Sequence, residues 1–587
     1  MDNKISITQR KPRRDEPWLV STLVFCGIFL WFVLNLLQGI FTEIQEDEAY
    51  YALYGEHLAW GYFDHPPMVG LMTFLSSLLF SGILGVRFFT IIASCLSLYI
   101  MWKVTQVTEP VVPEAPRRVE RPSCEHVFLF FILACSIVMF NIYGFVTTPD
   151  VSLILFSALF LLVYQHYLLD NTWKNALLMG LTMALMVYSK YHAFLFLGLI
   201  VLSNLKLLKD DKFWVACLLA MALLTPHILW QVNNGFPSFK YHLSGRSEPF
   251  RWSYFLEYLP NQLLIFNPFT FGAAVYVLVR YRSENQFERG MRFILIGFFF
   301  FFWLMAFRGH VEPHWTIVCV IPMVVLVYRE ALVDKKLRKY TKYFILPSLL
   351  LVLALRILLL TPLADRYGYH GKEKYYKAIE QVAGDRPMVY QGSFQQAALY
   401  HYFTGKESST LQSYYDRITQ YDLWQFDKAW IGKPVFVCGA VNGRSETYQV
   451  GDVEIEGFLT DDFSSANRLV TTFEITNADG DKTPVFHYGD TIRVDFTIYN
   501  PCEAPIDFHH KDFGMVIKGH YLPGNAFSYC FHQKITEIGP KATYQGQLYT
   551  IVHEEIPLGE HLFNLGIGDR ISAFVTEESG VKIKIEP

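Results

Sequence analysis

The chain has 587 residues, of which 52% are hydrophobic, 17% aromatic and only 18% charged, with a formal net charge of −4. Soluble chains average about 25% charged residues, so this composition excludes an ordinary soluble enzyme, a disordered chain and a basic nucleic-acid binder. Nine cysteines without a CxxC pair provide neither a zinc nor a disulfide framework by count.

Residues 1–17 form a basic tail carrying Lys4, Arg10, Lys11, Arg13 and Arg14. Residues 18–362 are dense in apolar runs. A helix of about 20 apolar residues crosses a bilayer. Eleven runs are read as spans: 18–40, 84–105, 126–146, 149–168, 174–188, 191–208, 213–231, 259–280, 292–307, 315–328 and 343–362. The apolar stretch 66–83 is read as lying on the membrane surface. The first run is too long for a signal-peptide core and no small-residue cleavage site follows it, so a retained anchor is expected. Residues 363–445 mix helix-like stretches (YYKAIEQVAG, SFQQAALYHYF) with the short strands PMVY and PVFVCG, which predicts a small α/β unit. Residues 446–587 alternate in short runs such as TIRVDFTIYN and VKIKIE between turn signals, which predicts a β-sandwich-like domain. The expected fold class is a polytopic α-helical membrane protein with about eleven spans and a C-terminal α/β plus β-sandwich region.

Lys and Arg sort by loop. Clusters at Arg117, Arg118 and Arg121, at Lys206, Lys209 and Lys212, at Arg280, Arg282, Arg289 and Arg292, and from Arg329 to Lys342 fall on alternate loops. The loop from Phe41 to Val86 has no Lys or Arg. The N-terminus is therefore expected in the cytoplasm and, with eleven spans, the C-terminal region outside it.

The polar residues of the expected outer loops form a pattern. The first loop holds Glu43, Glu46, Asp47, Glu48, Glu56 and Asp64 without a cation. Carboxylates this close call for a metal, raised proton affinity or full solvation; a merely solvated acidic loop is the plainer alternative. Tyr50, Tyr51, Tyr54, Trp60, Tyr62 and Phe63 fit a membrane-interface belt, with sugar or headgroup contact as the functional option. Pro66 and Pro67 stiffen the chain after Asp64 and His65. Asp150 follows Pro149 at a span end, where helix capping competes with catalysis. Lys190 breaks the positive-inside trend, which points to an anionic ligand or to snorkelling. Further cations are Lys240, His242, Arg246 and Arg251 in one loop and Arg308 in the last, beside His310, Glu312 and His314. Carboxylates and cations on one side of a membrane suit a reaction at a lipid phosphate: the acid serves as base or metal ligand, and Lys and Arg neutralise the departing charge.

The strings EDEAYY, YFDHPPM, GVRF, TPD, SKYHAFL and NNGFPSF, in this order, resemble the GT-C superfamily of membrane glycosyltransferases. The nearest branch is the PMT type, related to protein O-mannosyltransferases and the lipid A aminoarabinose transferase. The resemblance covers about residues 18–330. It implies inverting transfer of a sugar from a polyprenyl-phosphate donor to a lipid, glycan or protein acceptor outside the cytoplasm, in a bacterial inner membrane. It implies that Asp47 and Asp150 are catalytic, Asp47 as base or metal-organising acid. Lys190, Arg308 and Arg246 are expected at the donor phosphate. Glu48, Tyr50, Asp64 and His65 are expected to position substrate; His65 stands where the aminoarabinose branch has Lys, which weakens phosphate contact by this side chain. A divalent cation, Mg²⁺ or Mn²⁺, is a candidate helper, with Asp47, Asp150, Glu312 and His314 as its candidate ligands. The competing reading is a transporter or flippase of envelope intermediates. Transporters place charge near the midplane, often in repeated halves; here charge gathers at span ends and no repeat is seen.

Overall fold

The computed structural model describes residues 17–107, 123–243, 251–363, 370–411, 418–522, 527–531, 535–569 and 580–587. The chain forms two compact units, Met1–His370 and Gly371–Pro587.

The first unit is helical. In chain order its helices are α1 (Pro17–Phe41), α2 (Glu46–Glu56), α3 (Met68–Ser77), α4 (Gly82–Gln106), α5 (Cys124–Cys135), α6 (Val138–Ile142), α7 (Pro149–Leu169), α8 (Trp173–Ser189) and α9 (His192–Ser203). They continue as α10 (Asp211–Asn233), α11 (Pro237–Leu243), α12 (Trp252–Phe266), α13 (Pro268–Arg280), α14 (Gln286–Met305), α15 (Val320–Val333), α16 (Lys335–Tyr340) and α17 (Leu346–Leu358). A 3₁₀ segment, Pro313–Cys319, leads into α15. Among the described residues, six helical stretches of 21–25 residues are long and apolar enough to cross a membrane, and a seventh counts if α12 and α13 form one broken span. Every run read as a span coincides with helix, but several are not single long helices.

The run 126–146 breaks between α5 and α6. There Asn141 Nδ2 donates to the carbonyls of Cys135 and Ile137 at 2.7 and 2.8 Å. A side chain thus meets groups that a continuous helix would satisfy through its backbone. The run 259–280 begins earlier, at Trp252, and bends by 103° at Asn267, whose φ is +67°. Pro268 follows at the first position of α13, where its missing N–H is no loss. Asn267 Oδ1 accepts from Phe269 N, and its Nδ2 donates to Ser136 O and Ser348 Oγ. Hydropathy registers compatibility with lipid, not continuity of the helix, so neither break is visible in it.

The second unit contains a five-stranded sheet in the order β2 (Ser408–Leu411), β1 (Met388–Gln391), β3 (Val435–Cys438), β5 (Val453–Thr460) and β4 (Glu446–Val450). Strand β1 pairs in parallel with β2 and β3, whereas β5 is antiparallel to both β3 and β4. The sandwich sheets follow. One runs β13 (Thr543–Ile551), β8 (Thr491–Tyr499), β6 (Val470–Asn477); the other runs β11 (Phe527–Phe531), β10 (Met515–Leu522), β14 (Gly559–Asp569), β15 (Val581–Glu586), β7 (Val485–His487). Along β8, Ile492, Val494, Phe496 and Ile498 alternate inward, as its period-2 pattern requires. The expected boundary at 445/446 needs correction. Strands β4 and β5 lie beyond it yet complete the α/β sheet. Alternation shows that a segment is a strand, but not which sheet its edge will meet.

Candidate active site

The acidic loop folds into a helix start. Glu46, Asp47 and Glu48 occupy the first turn of α2, where the helix dipole favours negative charge. Glu48 closes a capping box, accepting from Gln45 N at 2.9 Å through Oε2. Its carboxylate also takes the fork of Arg87, with Nε to Oε1 at 2.8 Å and Nη2 to Oε2, and accepts from Thr147 N at 2.8 Å. Arg87 Nη1 and Nη2 further donate to the carbonyls of Gly39, Thr42 and Glu43. Both charged side chains are fully buried. Glu48 ties the start of α2 to α4 and to Thr147, three residues before Asp150. Tyr50, at 1% exposure, packs against Tyr51 and Tyr54 inside the fold. Asp47, beside Glu48 on the helix, remains exposed.

The loop between α2 and α3 is compressed onto its own aromatics. Tyr54 and Tyr62 stack at 3.8 Å, and Tyr54 Oη donates to Asp64 Oδ1 at 2.5 Å. Burial, then Asp64, push the Tyr54 phenol well above its ordinary value, so it stays a donor. A Cβ at Gly61 would come within 2.5 Å of Trp230, and one at Gly70 within 2.6 Å of Tyr62 Oη. Only glycine admits this approach. Asp64 is buried, with 4% exposure. His65 Nε2 lies 3.1 Å from Tyr51 Oη, while its buried Nδ1 has no hydrogen-bond partner among the described residues. Desolvation lowers the His65 imidazole to about 3, so it is neutral at physiological pH.

Asp150 sits in the first turn of α7 behind Pro149, and Lys190 caps the end of α8. They meet as a buried pair, Nζ to Oδ2 at 2.7 Å with side-chain exposures of 6% and 2%. Asp150 Oδ1 is buried and has no hydrogen-bond partner among the described residues. His314 Nε2 approaches Asp150 Oδ2 at 4.0 Å, and the His314 ring lies 6.3 Å from that of Tyr143. Tyr143 is within electrostatic reach of Asp150, Asp47 and Glu312, and His65 within reach of Lys190 and Asp150. The structure thus gathers Asp47, His65, Asp150, Lys190, Glu312 and His314 at one place. His192 joins them, within reach of Lys190, His65, His242 and His314. It was legible only as the fourth letter of SKYHAFL, and a single His at a helix start gives no signal of its own.

Arg308 is exposed at the end of α14. Arg246 lies outside the described residues. Among the described residues, no three of His, Cys, Asp and Glu are close enough to hold an ion. One Asp150 oxygen is already taken by the Lys190 ammonium, and His310 Nδ1 lies 3.5 Å from Glu312 Oε1.

Residues 123–230 match the family model described as dolichyl-phosphate-mannose-protein mannosyltransferase. No curated protein sequence matches the chain. Among solved structures, the crystal structure of ArnT from Cupriavidus metallidurans in the apo state aligns at a TM-score of 0.55 and 13% identity, over 75% of this chain and 97% of that one. The same protein bound to undecaprenyl phosphate aligns at 0.55 and 13%, over 75% and 98%. The chain has the fold of ArnT over the aligned part. The resemblance read from EDEAYY, YFDHPPM and TPD agrees with that fold and with the family match. The matched segment 123–230 runs from α5 into α10 and carries both partners of the buried Asp150–Lys190 pair.

Proposed function

We propose that the chain is an inverting transferase that moves a sugar from polyprenyl phosphate to a hydroxyl acceptor on the extracytoplasmic side of a bacterial inner membrane. The observation that carries this reading is the buried Asp150–Lys190 pair with one carboxylate oxygen unmet, sharing with the exposed Asp47 the electrostatic neighbourhood of Tyr143. Asp47 takes the proton of the acceptor hydroxyl. The acceptor oxygen bonds to the anomeric carbon as the bond to the phosphate oxygen breaks, and polyprenyl phosphate leaves with the electron pair. Lys190 meets the developing phosphate charge, with Arg308 as a second cation. Asp150 holds Lys190 in place, and its unmet oxygen is suited to accept from a sugar hydroxyl. Neutral His65 orients through hydrogen bonds rather than charge. The ArnT structure with undecaprenyl phosphate supports the donor class by analogy of fold. The Lys and Arg distribution supports a cytoplasmic N-terminus and an outer C-terminal unit.

The test is reconstitution in liposomes with synthetic polyprenyl-phosphate sugars, read by mass spectrometry of lipid and product. Release of polyprenyl phosphate and a product of inverted anomeric configuration is the expected result. Retention of configuration, or no donor consumed across hexosyl and pentosyl donors with lipid, glycan and peptide acceptors, overturns the reading.

A further inference from the structure

Among the described residues, the helical unit buries a guanidinium that no carboxylate meets. Arg356, on α17, is 5% exposed. Its Nη2 donates to Asn35 Oδ1 at 2.8 Å, its Nη1 to Asn141 Oδ1 at 3.2 Å and its Nε to Gln38 Oε1 at 3.4 Å. The rings of Trp31 and Phe145 lie 5.5 and 5.3 Å from its Cζ. The partnered cations of this unit show the contrast: Arg87 has Glu48, Lys190 has Asp150 and Arg329 has Glu288. Among the described residues Arg356 has amide oxygens only.

Those amides create a second deficit. Their oxygens face the guanidinium, since the reversed orientation would set N–H against N–H. Asn35 Nδ2 and Gln38 Nε2 are thereby left buried without a hydrogen-bond partner. A buried charge without a counter-ion and a buried polar group without a partner are both costly to leave unmet. Both deficits lack the same thing, an anionic acceptor. The cluster also lies at a seam. Asn35 and Gln38 are on α1, and α1 and α17 show exposed apolar side chains nearby: Leu37, Ile40 and Phe41 on one, Leu355, Ile357 and Leu358 on the other. A headgroup drawn to Arg356 would leave hydrocarbon chains against those residues.

We propose that the seam between α1 and α17 binds a phosphate anion, supplied by the headgroup of an anionic membrane lipid. It involves neither Asp47 nor Asp150 and does not rest on the transferase reading. Full-length protein in detergent, stripped of lipid, is titrated with phosphatidylglycerol, phosphatidylcholine or inorganic phosphate; bound lipid is read by native mass spectrometry and stability by thermal midpoint. Phosphatidylglycerol is expected to remain bound and raise the midpoint, with phosphatidylcholine failing to do either. Arg356→Gln is expected to weaken phosphatidylglycerol binding at least about tenfold. Asn35→Asp supplies an internal counter-ion, so it is expected to raise the lipid-free midpoint and abolish the lipid's effect; it serves if Arg356→Gln does not fold. Equal stabilisation by inorganic phosphate overturns the lipid source. Unchanged phosphatidylglycerol binding in either variant, or no preference for it in the unsubstituted protein, overturns the site.

Discussion

At the residue scale, the site is a division of labour among carboxylates. Glu48 is consumed by Arg87 and backbone amides, Asp64 by Tyr54, and Asp150 half by Lys190; Asp47 remains exposed. Asp47→Asn should therefore reduce transfer by about 10²–10⁴-fold with an unchanged thermal midpoint, measured on the reconstituted enzyme. Lys190→Met should act differently. It strands a buried carboxylate, which costs about 3–5 kcal/mol, so both midpoint and activity should fall. Adding Asp150→Asn to Lys190→Met should recover much of the midpoint but none of the activity, which separates folding from chemistry. The sequence displayed Asp47, Asp150 and Lys190, because a charge at the end of an apolar run stands out. The sequence also holds Arg87 and Arg356 inside such runs, neither of which figured among the expected site residues. It could not say that one partner is Glu48, 39 residues earlier, and that the other is three neutral amides.

At the element scale, the start of α2 is fixed by the Arg87 fork as well as by its own capping box. Arg87→Lys keeps the charge but loses the bidentate geometry. Transfer should drop sharply although Asp47 and Asp150 are intact, as a fall in kcat larger than any change in KM. In the second unit, His520 on β10 is buried, and desolvation lowers its imidazole to about 4. The unfolded chain takes up this proton near pH 6.5; the native state refuses it until about pH 4. Stability from this group is thus intact above pH 6.5 and is lost as pH falls from 6.5 to 4. The midpoint of His520→Phe should depend less on pH across that window, by thermal unfolding of the full chain. Helix and strand locations were legible from periodicity. The breaks at Ser136–Ile137 and Asn267 were not, since they depend on the side-chain amides of Asn141 and Asn267 meeting backbone groups at the breaks.

At the scale of the whole molecule, the composition shift near residue 363 lies close to the division the structure makes after His370. What the sequence could not supply was the allocation of β4 and β5 to the first sheet, a matter of long-range pairing. Orientation remains a prediction from charge. Alkaline phosphatase fused after Pro587 should be active in a bacterial host, and the same enzyme fused before Met1 inactive. The reverse pattern would invert the bundle and move Asp47 to the cytoplasmic face.

The Asp150–Lys190 pair also constrains how the protein is made. Its partners are 40 residues apart in the chain. At ~5–20 residues per second, a ribosome delivers the lysine about 2–8 s after the aspartate. During that interval the apolar helix α7 has entered the insertion machinery with an acid at its leading turn and no cation to meet it. The α7–α8 hairpin is therefore the unit that the machinery must hold together before release to lipid. Slowed translation between the two codons should expose the nascent chain to membrane quality-control proteolysis.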